Sequence, residues 1–337
     1  MIAAVSDQDL AAAVAALADG QLVAFPTETV YGLGANARNA AAVARLYAAK
    51  GRPPDHPVIV HIASADDLPL WAREVPDAAR LLAARFWPGP LTLVLKRASG
   101  VRDAITGGQD TVAVRCPAHP VALRLLRAAR EAGIEGIVAP SANRFGRISP
   151  TTAAHVREEL ADSVAMVLDG GPCAVGIEST IVDVSGERPR VLRPGMITEE
   201  EIAECLGAGL GEATAAAPRV SGALPSHYAP TTPLELLDSG ACVARVRALL
   251  ATGQGVAVLA SAETLAVLGQ TLGHGDRLLA VAAPATPEAY ARSLYAKLRE
   301  LDASACARIL VESPPSDPGW QGIIDRLRRA SSAKPAD

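Results

Sequence analysis

Apolar residues recur along this chain in two ways, at helical spacing and in short continuous runs, and the alternation between them lays out the elements. Ser6 with Asp9 predicts a capping box opening an alanine-rich helix that Gly20 closes. The run LVAF at 22–25 is a strand stopped by Pro26; a polar loop follows, and the glycines of YGLGAN fit a tight turn. Residues 40–49 return to helical spacing with Val43, Leu46 and Tyr47 on one face, ending at Lys50-Gly51. Pro53, Pro54 and Pro57 force an extended connection into the strand VIVHI. A helix around Ala78 to Phe86 and the turn WPGP lead to strands LTLVLK and TVAVRCP, then to a helix from about Pro120 to Ala132. The buried strand IVAP ends in Ser141-Ala142-Asn143, Thr151 or Thr152 caps the next helix, and AMVLDGG, ESTIVDV and PRVLRPG read as three short strands. Thr198 with Glu201 opens a helix that ends at Gly207.

Helices and strands mingle here without strict alternation, so residues 1–207 predict one compact α/β domain with a mixed sheet. Residues 208–233, rich in Ala, Gly, Pro and Thr, predict a linker, which nonetheless carries the polar cluster Ser226-His227-Tyr228-Ala229-Pro230. From 234 to 337 strand and helix alternate, predicting a small open parallel sheet of Rossmann-like type and a closing basic helix near 320–330. A length of 337 residues suits two domains.

Composition narrows the functions. Aromatics are 3% of residues, too few for a base-stacking surface, and 32 basic against 36 acidic residues give no field that would draw the chain onto RNA or a membrane. An anionic ligand therefore needs a local basic pocket. The five cysteines are scattered and never spaced as CxxC, so they read as small buried hydrophobes rather than disulfides or a zinc site. No basic n-region and no run of about eighteen apolar residues is present, which predicts a soluble cytoplasmic protein.

The chain has no GxxxxGK[ST] loop, no GxGxxG after a strand, no GxSxG and no HExxH, so side chains must hold any nucleotide phosphates. Lys50 and Arg52 either complement a helix C-terminus as solvated cations or form an anion-binding corner stiffened by Pro53. Arg115 and Arg193 each end a strand, and four cations from separate elements would suit a triphosphate plus a carboxylate. Thr27, Thr29, Thr111, Ser141, Asn143, Ser149, Ser179 and Thr180 all fall at strand ends or just after them; singly each reads as a cap or turn residue, together as the lining of a cleft. His61 reads as a structural strand residue, His119, His155 and His274 as surface or cap positions, and Asp169 and Asp183 are assigned no role.

FPTETVYGLGAN, KGRP, HPVIVHI, VRCPAHP, PSAN, SPT, GIESTIVD and RPG, in that order, resemble the YrdC/Sua5 family of threonylcarbamoyl-AMP synthases. SHYAP and the alternating C-terminal part resemble its longer, two-domain Sua5 form. The resemblance implies a twisted mixed sheet around a large basic cleft in a YrdC-like catalytic domain (1–207), a lid over the active site (208–233) and a Sua5 C-terminal domain (234–337). It implies a nucleotidyltransferase joining L-threonine, bicarbonate and ATP into threonylcarbamoyl-adenylate and pyrophosphate, with a separate transferase carrying the group to adenosine 37 of ANN-decoding tRNAs. Lys50 and Arg52 would bind the reacting phosphates and carboxylate; Arg52, His56, Thr111, Ser141, Asn143, Ser149 and Arg193 would hold ATP, with His227 and Tyr228 closing over it. Thr29, His61, Arg115 and Ser179 would hold threonine. Mg²⁺ would arrive on the ATP phosphates, with no protein-bound metal and weak or no direct tRNA binding.

Three positions depart from the family pattern: His56 stands where asparagine usually precedes the proline, Phe145 replaces a small residue after SAN, and the linker reads SGALPSHYAP where the family pattern has a proline and methionine before a tyrosine. A threonine pocket has only one methyl with which to reject serine, worth about 1–3 kcal/mol, whereas unpaired hydroxyl partners reject valine by roughly 10⁴-fold. Two other classes share a basic cleft: an RNA-binding module and a carbamoyl-transfer subunit. The acidic balance weighs against the first, and the absence of zinc-finger cysteines against the second.

Overall fold

A computed structural model of the chain describes residues 5–212, 217–270 and 277–332; His274 lies outside them. The chain divides into two compact units, Met1–Phe145 with Ser149–Ala223, and Gly146–Ile148 with Leu224–Asp337. The break after Ala223 falls inside the segment 208–233.

The first unit runs α1 (Asp7–Ala18), β1 (Val23–Phe25), β2 (Gly32–Asn36), α2 (Ala40–Lys50), β3 (Ile59–His61), α3 (Asp77–Phe86), β4 (Leu91–Lys96), α4 (Asp103–Thr106), β5 (Thr111–Arg115), α5 (Pro120–Glu131), β6 (Ile137–Val138), α6 (Ala153–Leu160), β7 (Met166–Val167), β8 (Thr180–Asp183), β9 (Arg190–Arg193) and α7 (Glu199–Leu206). Both capping boxes are formed, by Ser6 with Asp9 and by Thr198 with Glu201. Nine strands make one mixed sheet in the order β7-β1-β2-β6-β3-β5-β4-β8-β9, with β3 parallel to β5 and β4 parallel to β8.

YGLGAN forms strand β2, antiparallel to β1, instead of the tight turn its glycines suggest. Those glycines serve close approach: a Cβ on Gly34 would stand 2.9 Å from the carbonyl oxygen of Val23 and from the Phe25 ring. The turn lies one step earlier, in the loop 26–31.

Side-chain alternation along the strands builds the site. Val58, Val60, Leu91, Leu93, Leu95, Val112, Val114 and Val182 join one core with Val43 and Leu46 of α2, Leu82 of α3 and Ile202 of α7. On the opposite face, α1 and α5 pack over Val23, Phe25 and Ile137. Further along that face Ile59, Val94 and Ile181 are covered by Val220, from the chain segment after α7. The positions in phase with these, His61, Arg115 and Thr92, together with Ser179 just ahead of β8, supply polar groups on the same side.

The second unit contains β10 (Leu234–Leu237), α8 (Ser239–Ala251), β11 (Val256–Ala260), α9 (Ala262–Gly269), β12 (Leu278–Ala282), α10 (Pro287–Asp302), β13 (Arg308–Glu312) and α11 (Gln321–Ser331). Its strands are all parallel, in the order β10-β13-β11-β12, as the strand and helix alternation predicts. The final basic helix is less solvated than its sequence suggests: Arg326 is buried, with its guanidinium 5.4 Å from the Tyr228 ring, and pairs with Asp325. Of the five cysteines, Cys116, Cys173 and Cys242 are buried, whereas Cys205 and Cys306 are half-exposed.

Candidate active site

The loop 26–31 is the hub. Its main chain bonds to three other places in the chain, the Tyr31 N–H donating to Pro150, the Ala142 N–H donating to Tyr31, and the Val175 and Gly176 N–H groups donating to Glu28 and Thr29. Inside the turn Thr27 Oγ1 donates to the Val30 carbonyl at 2.6 Å and accepts from the Thr29 and Val30 N–H groups. Thr29 Oγ1 lies 2.8 Å from Thr27 Oγ1 and accepts from Arg115 Nη1 at 2.9 Å.

Arg115 ends β5 beside His61, its register partner at the end of β3. Its Nη2 pairs with Glu28 at 2.6 Å and its Nε donates to the Gly89 carbonyl. Burial, then the Arg115 charge, pushes the His61 imidazole down to about 3, so this ring is neutral at physiological pH. Its Nδ1 has no hydrogen-bond partner among the described residues.

Lys50 closes α2 ahead of Gly51, whose φ of 59° ends the helix in the left-handed region. The solvated-cation reading of Lys50 fails here: the side chain is 3% exposed, and Nζ donates to the carbonyls of Ser141 and Asn143, both at 2.5 Å. Burial, then the neighbouring Arg52, holds this amine well below the usual lysine range, with Glu159 opposing. Two carbonyls of the loop after β6 therefore aim a cation that burial disfavours.

Arg193, at the end of β9, donates through Nε and Nη2 to the Ser179 carbonyl and through Nη2 to Ser179 Oγ at 3.1 Å. Ser179 Oγ also lies 2.7 Å from Thr92 Oγ1. Ser221 joins the two remaining cations, its hydroxyl accepting from Arg52 Nη2 at 3.1 Å and its carbonyl from Arg193 Nη1 at 2.8 Å. Ser149 donates to Glu178 at 2.6 Å.

His56 and Phe145, two of the departures from the family pattern, meet edge to face with centroids 5.4 Å apart, and the Arg52 guanidinium stands 5.6 Å from the Phe145 ring. Burial, then Arg52, lowers the His56 pKa. Thr111 shares the Arg115 face of β5 but starts the strand, about 13 Å away at ~3.3 Å per residue. His227 and Tyr228 belong to the second unit, where both are buried and Tyr228 packs on Tyr295.

Sequence reasoning missed Glu28, Thr92, Glu178, Val220 and Ser221. Glu28 and Glu178 stand inside the motifs FPTETV and GIEST, and a lone acid among apolar and hydroxyl residues was the available signal. Val220 and Ser221 lie in a segment without periodicity. His119 and Thr152 are caps, and Asp183 pairs with Arg190. Among the described residues no three His, Cys, Asp or Glu side chains gather to hold a metal ion, and no helix is long and apolar enough to cross a membrane.

Four buried cations, two at the end of α2 and one each at the ends of β5 and β9, are lined by strand-end hydroxyls, an arrangement with which an α/β enzyme can grip a polyanion through side chains rather than a glycine-rich loop. The family model for Sua5, YciO and YrdC proteins, described as "Telomere recombination", matches residues 15–195, and that for the threonylcarbamoyl-AMP synthase C-terminal domain matches 197–332. The chain is 41% identical over 331 residues to a threonylcarbamoyl-AMP synthase of Pyrococcus abyssi, covering 93% of this chain and 91% of that protein. It is 39% identical over 339 residues to one of Bacillus subtilis, covering 98% and 94%. The crystal structure of P. abyssi Sua5 complexed with L-threonine superposes with a TM-score of 0.85 at 38% identity, covering 97% of this chain and 95% of that one. The chain belongs to the YrdC/Sua5 family of threonylcarbamoyl-AMP synthases.

Proposed function

We propose that this chain makes L-threonylcarbamoyl-adenylate and pyrophosphate from L-threonine, bicarbonate and ATP. The observation that carries the reading is that Lys50, Arg52, Arg115 and Arg193 are each at most 7% exposed and held by oxygens of the chain itself. Cations fixed in this way before substrate arrives need little reorganisation as charge develops.

In this reading Arg115 takes the threonine carboxylate, with Thr29, His61 and Ser179 around it. The neutral amine attacks the carbon of CO₂ derived from bicarbonate and loses a proton, giving a carbamate. A carbamate oxygen then attacks the α-phosphorus of ATP, and the bond to the β-phosphate oxygen breaks to release pyrophosphate. Both partners are anionic, so Lys50 and Arg52 cancel their repulsion and hold them in line. Arg193, His56, Thr111, Ser141, Asn143 and Ser149 hold the nucleotide, and Mg²⁺ enters as part of the MgATP substrate. The 1–207 segment is the catalytic domain, 208–233 a linker and 234–337 the Sua5 domain. The product passes in the cytoplasm to a separate transferase that modifies tRNA, which this chain itself binds weakly or not at all.

Incubation with ¹³C-bicarbonate, threonine and ATP tests this. The expected product is an adenylate carrying the label; an unlabelled threonyl-adenylate would overturn the reading.

A further inference from the structure

Arg115 and Thr29 are not free to turn, and what holds them decides what they offer. Of the five N–H groups of a guanidinium, Arg115 commits three: Nε to the Gly89 carbonyl at 3.3 Å, Nη1 to Thr29 Oγ1 at 2.9 Å and Nη2 to Glu28 Oε1 at 2.6 Å. One N–H remains on each terminal nitrogen, a pair matched to the two oxygens of a carboxylate. Glu28 is fixed in turn, Oε2 accepting from the Ala118 N–H at 3.0 Å, and both members of the ion pair are buried.

The threonine pair has a direction. A hydroxyl has one proton, and Thr27 donates its own to the Val30 carbonyl. The 2.8 Å bond between the two hydroxyls therefore runs from Thr29 to Thr27, whose other lone pair is shared by the Thr29 and Val30 N–H groups, both at 3.2 Å. Thr29, accepting already from Arg115, has only a lone pair left for a ligand. Such a group welcomes a donor and gains nothing from a methyl.

We propose that Glu28 and Thr27 are positioning residues of the amino-acid site: Glu28 presents Arg115 as a carboxylate fork, and Thr27 makes Thr29 an obligate acceptor for the substrate hydroxyl. This rests on Arg115 and Thr29 lining the threonine pocket. Neither positioning residue touches substrate. Their effect falls on threonine and spares ATP, whose proposed ligands are other residues. Thr27 also supplies discrimination, because a site that can only accept leaves its lone pair unmatched when valine binds.

The test uses the full-length enzyme with pyrophosphate release as the readout. Glu28→Gln is expected to raise the threonine KM at least about tenfold, with kcat and the ATP KM within about twofold of wild type. Thr27→Val, which frees the Thr29 hydroxyl to rotate, is expected to cut the threonine-over-valine ratio of kcat/KM about tenfold. Where Glu28→Gln does not fold, Glu28→Asp carries the same test, since it keeps the charge and shortens the reach. An unchanged threonine KM, or equal rises for threonine and ATP, would overturn the role of Glu28; an unchanged valine ratio would overturn that of Thr27. Calorimetric titration of Arg115→Ala with threonine separates the premise from the proposal: wild-type affinity in that variant removes the pocket itself, whereas lost binding there beside an unaltered Glu28→Gln removes only the positioning role.

Discussion

Burial sets the chemistry of single residues in this site. His61, pushed down to about 3 by its surroundings and then by Arg115, can offer substrate a neutral ring but no charge. The same shift bears on stability. Between pH 3 and 6.5 the unfolded chain binds a proton at this histidine and the folded chain does not, so its contribution is full above pH 6.5. It falls by up to about 1.4 kcal/mol per pH unit as acid is added. Denaturant unfolding at pH 7 and pH 5 should show a larger loss for wild type than for His61→Asn, by about 2 kcal/mol. Equal losses in the two proteins would mean the ring is already protonated in the folded state. Phe145 and His56, read singly from sequence as two departures, turn out to be one contact beside Arg52.

At the scale of elements, strand ends and the loops between them carry most of the proposed site residues. The RPG stretch after β9 shows how tightly they fit: a Cβ on Gly195 would stand 2.5 Å from the Thr180 nitrogen and 2.9 Å from the Ser179 carbonyl carbon. Gly195→Ala must then shift Arg193 relative to Ser179. The expected result is a stability loss of about 1–3 kcal/mol with lower kcat/KM for both ATP and threonine, checked by denaturant melts and steady-state kinetics. Unchanged values in both would show the loops to be loosely packed. Much at this scale was legible in the sequence, since capping boxes, proline stops and apolar runs depend on local chemistry. That is why both capping boxes, the run of three short strands and the parallel C-terminal sheet stand where the pattern puts them. The glycines of β2 misled because a tight turn and a close strand pair both call for a missing side chain, and only the partner strand distinguishes them. Glu28 and Ser221 were hidden for a related reason: each acts on a cation 87 or 169 residues away in sequence.

For the whole molecule, the segment after α7 belongs physically to the first unit as far as Ala223. Val220 sits on Ile59, Val94 and Ile181, Ser221 links Arg52 to Arg193, and Arg219 exchanges main-chain bonds with the Gln109 side chain. Ending the chain at Gly207 removes all of these contacts, whereas ending it at Ala223 keeps them. Chain 1–223 is therefore expected to bind ATP more tightly than chain 1–207 in a calorimetric titration, and equal affinities would deny the segment a part in holding Arg52 and Arg193. The central claim is that Lys50 and Arg52 bring ATP and a threonine-derived carbamate together. Pyrophosphate release from ATP, with threonine and bicarbonate omitted in turn, tests it most directly. The account predicts release that needs both and that falls at least about 100-fold in Lys50→Ala and in Arg52→Ala. Release independent of threonine or of bicarbonate, or undiminished in either variant, would contradict it.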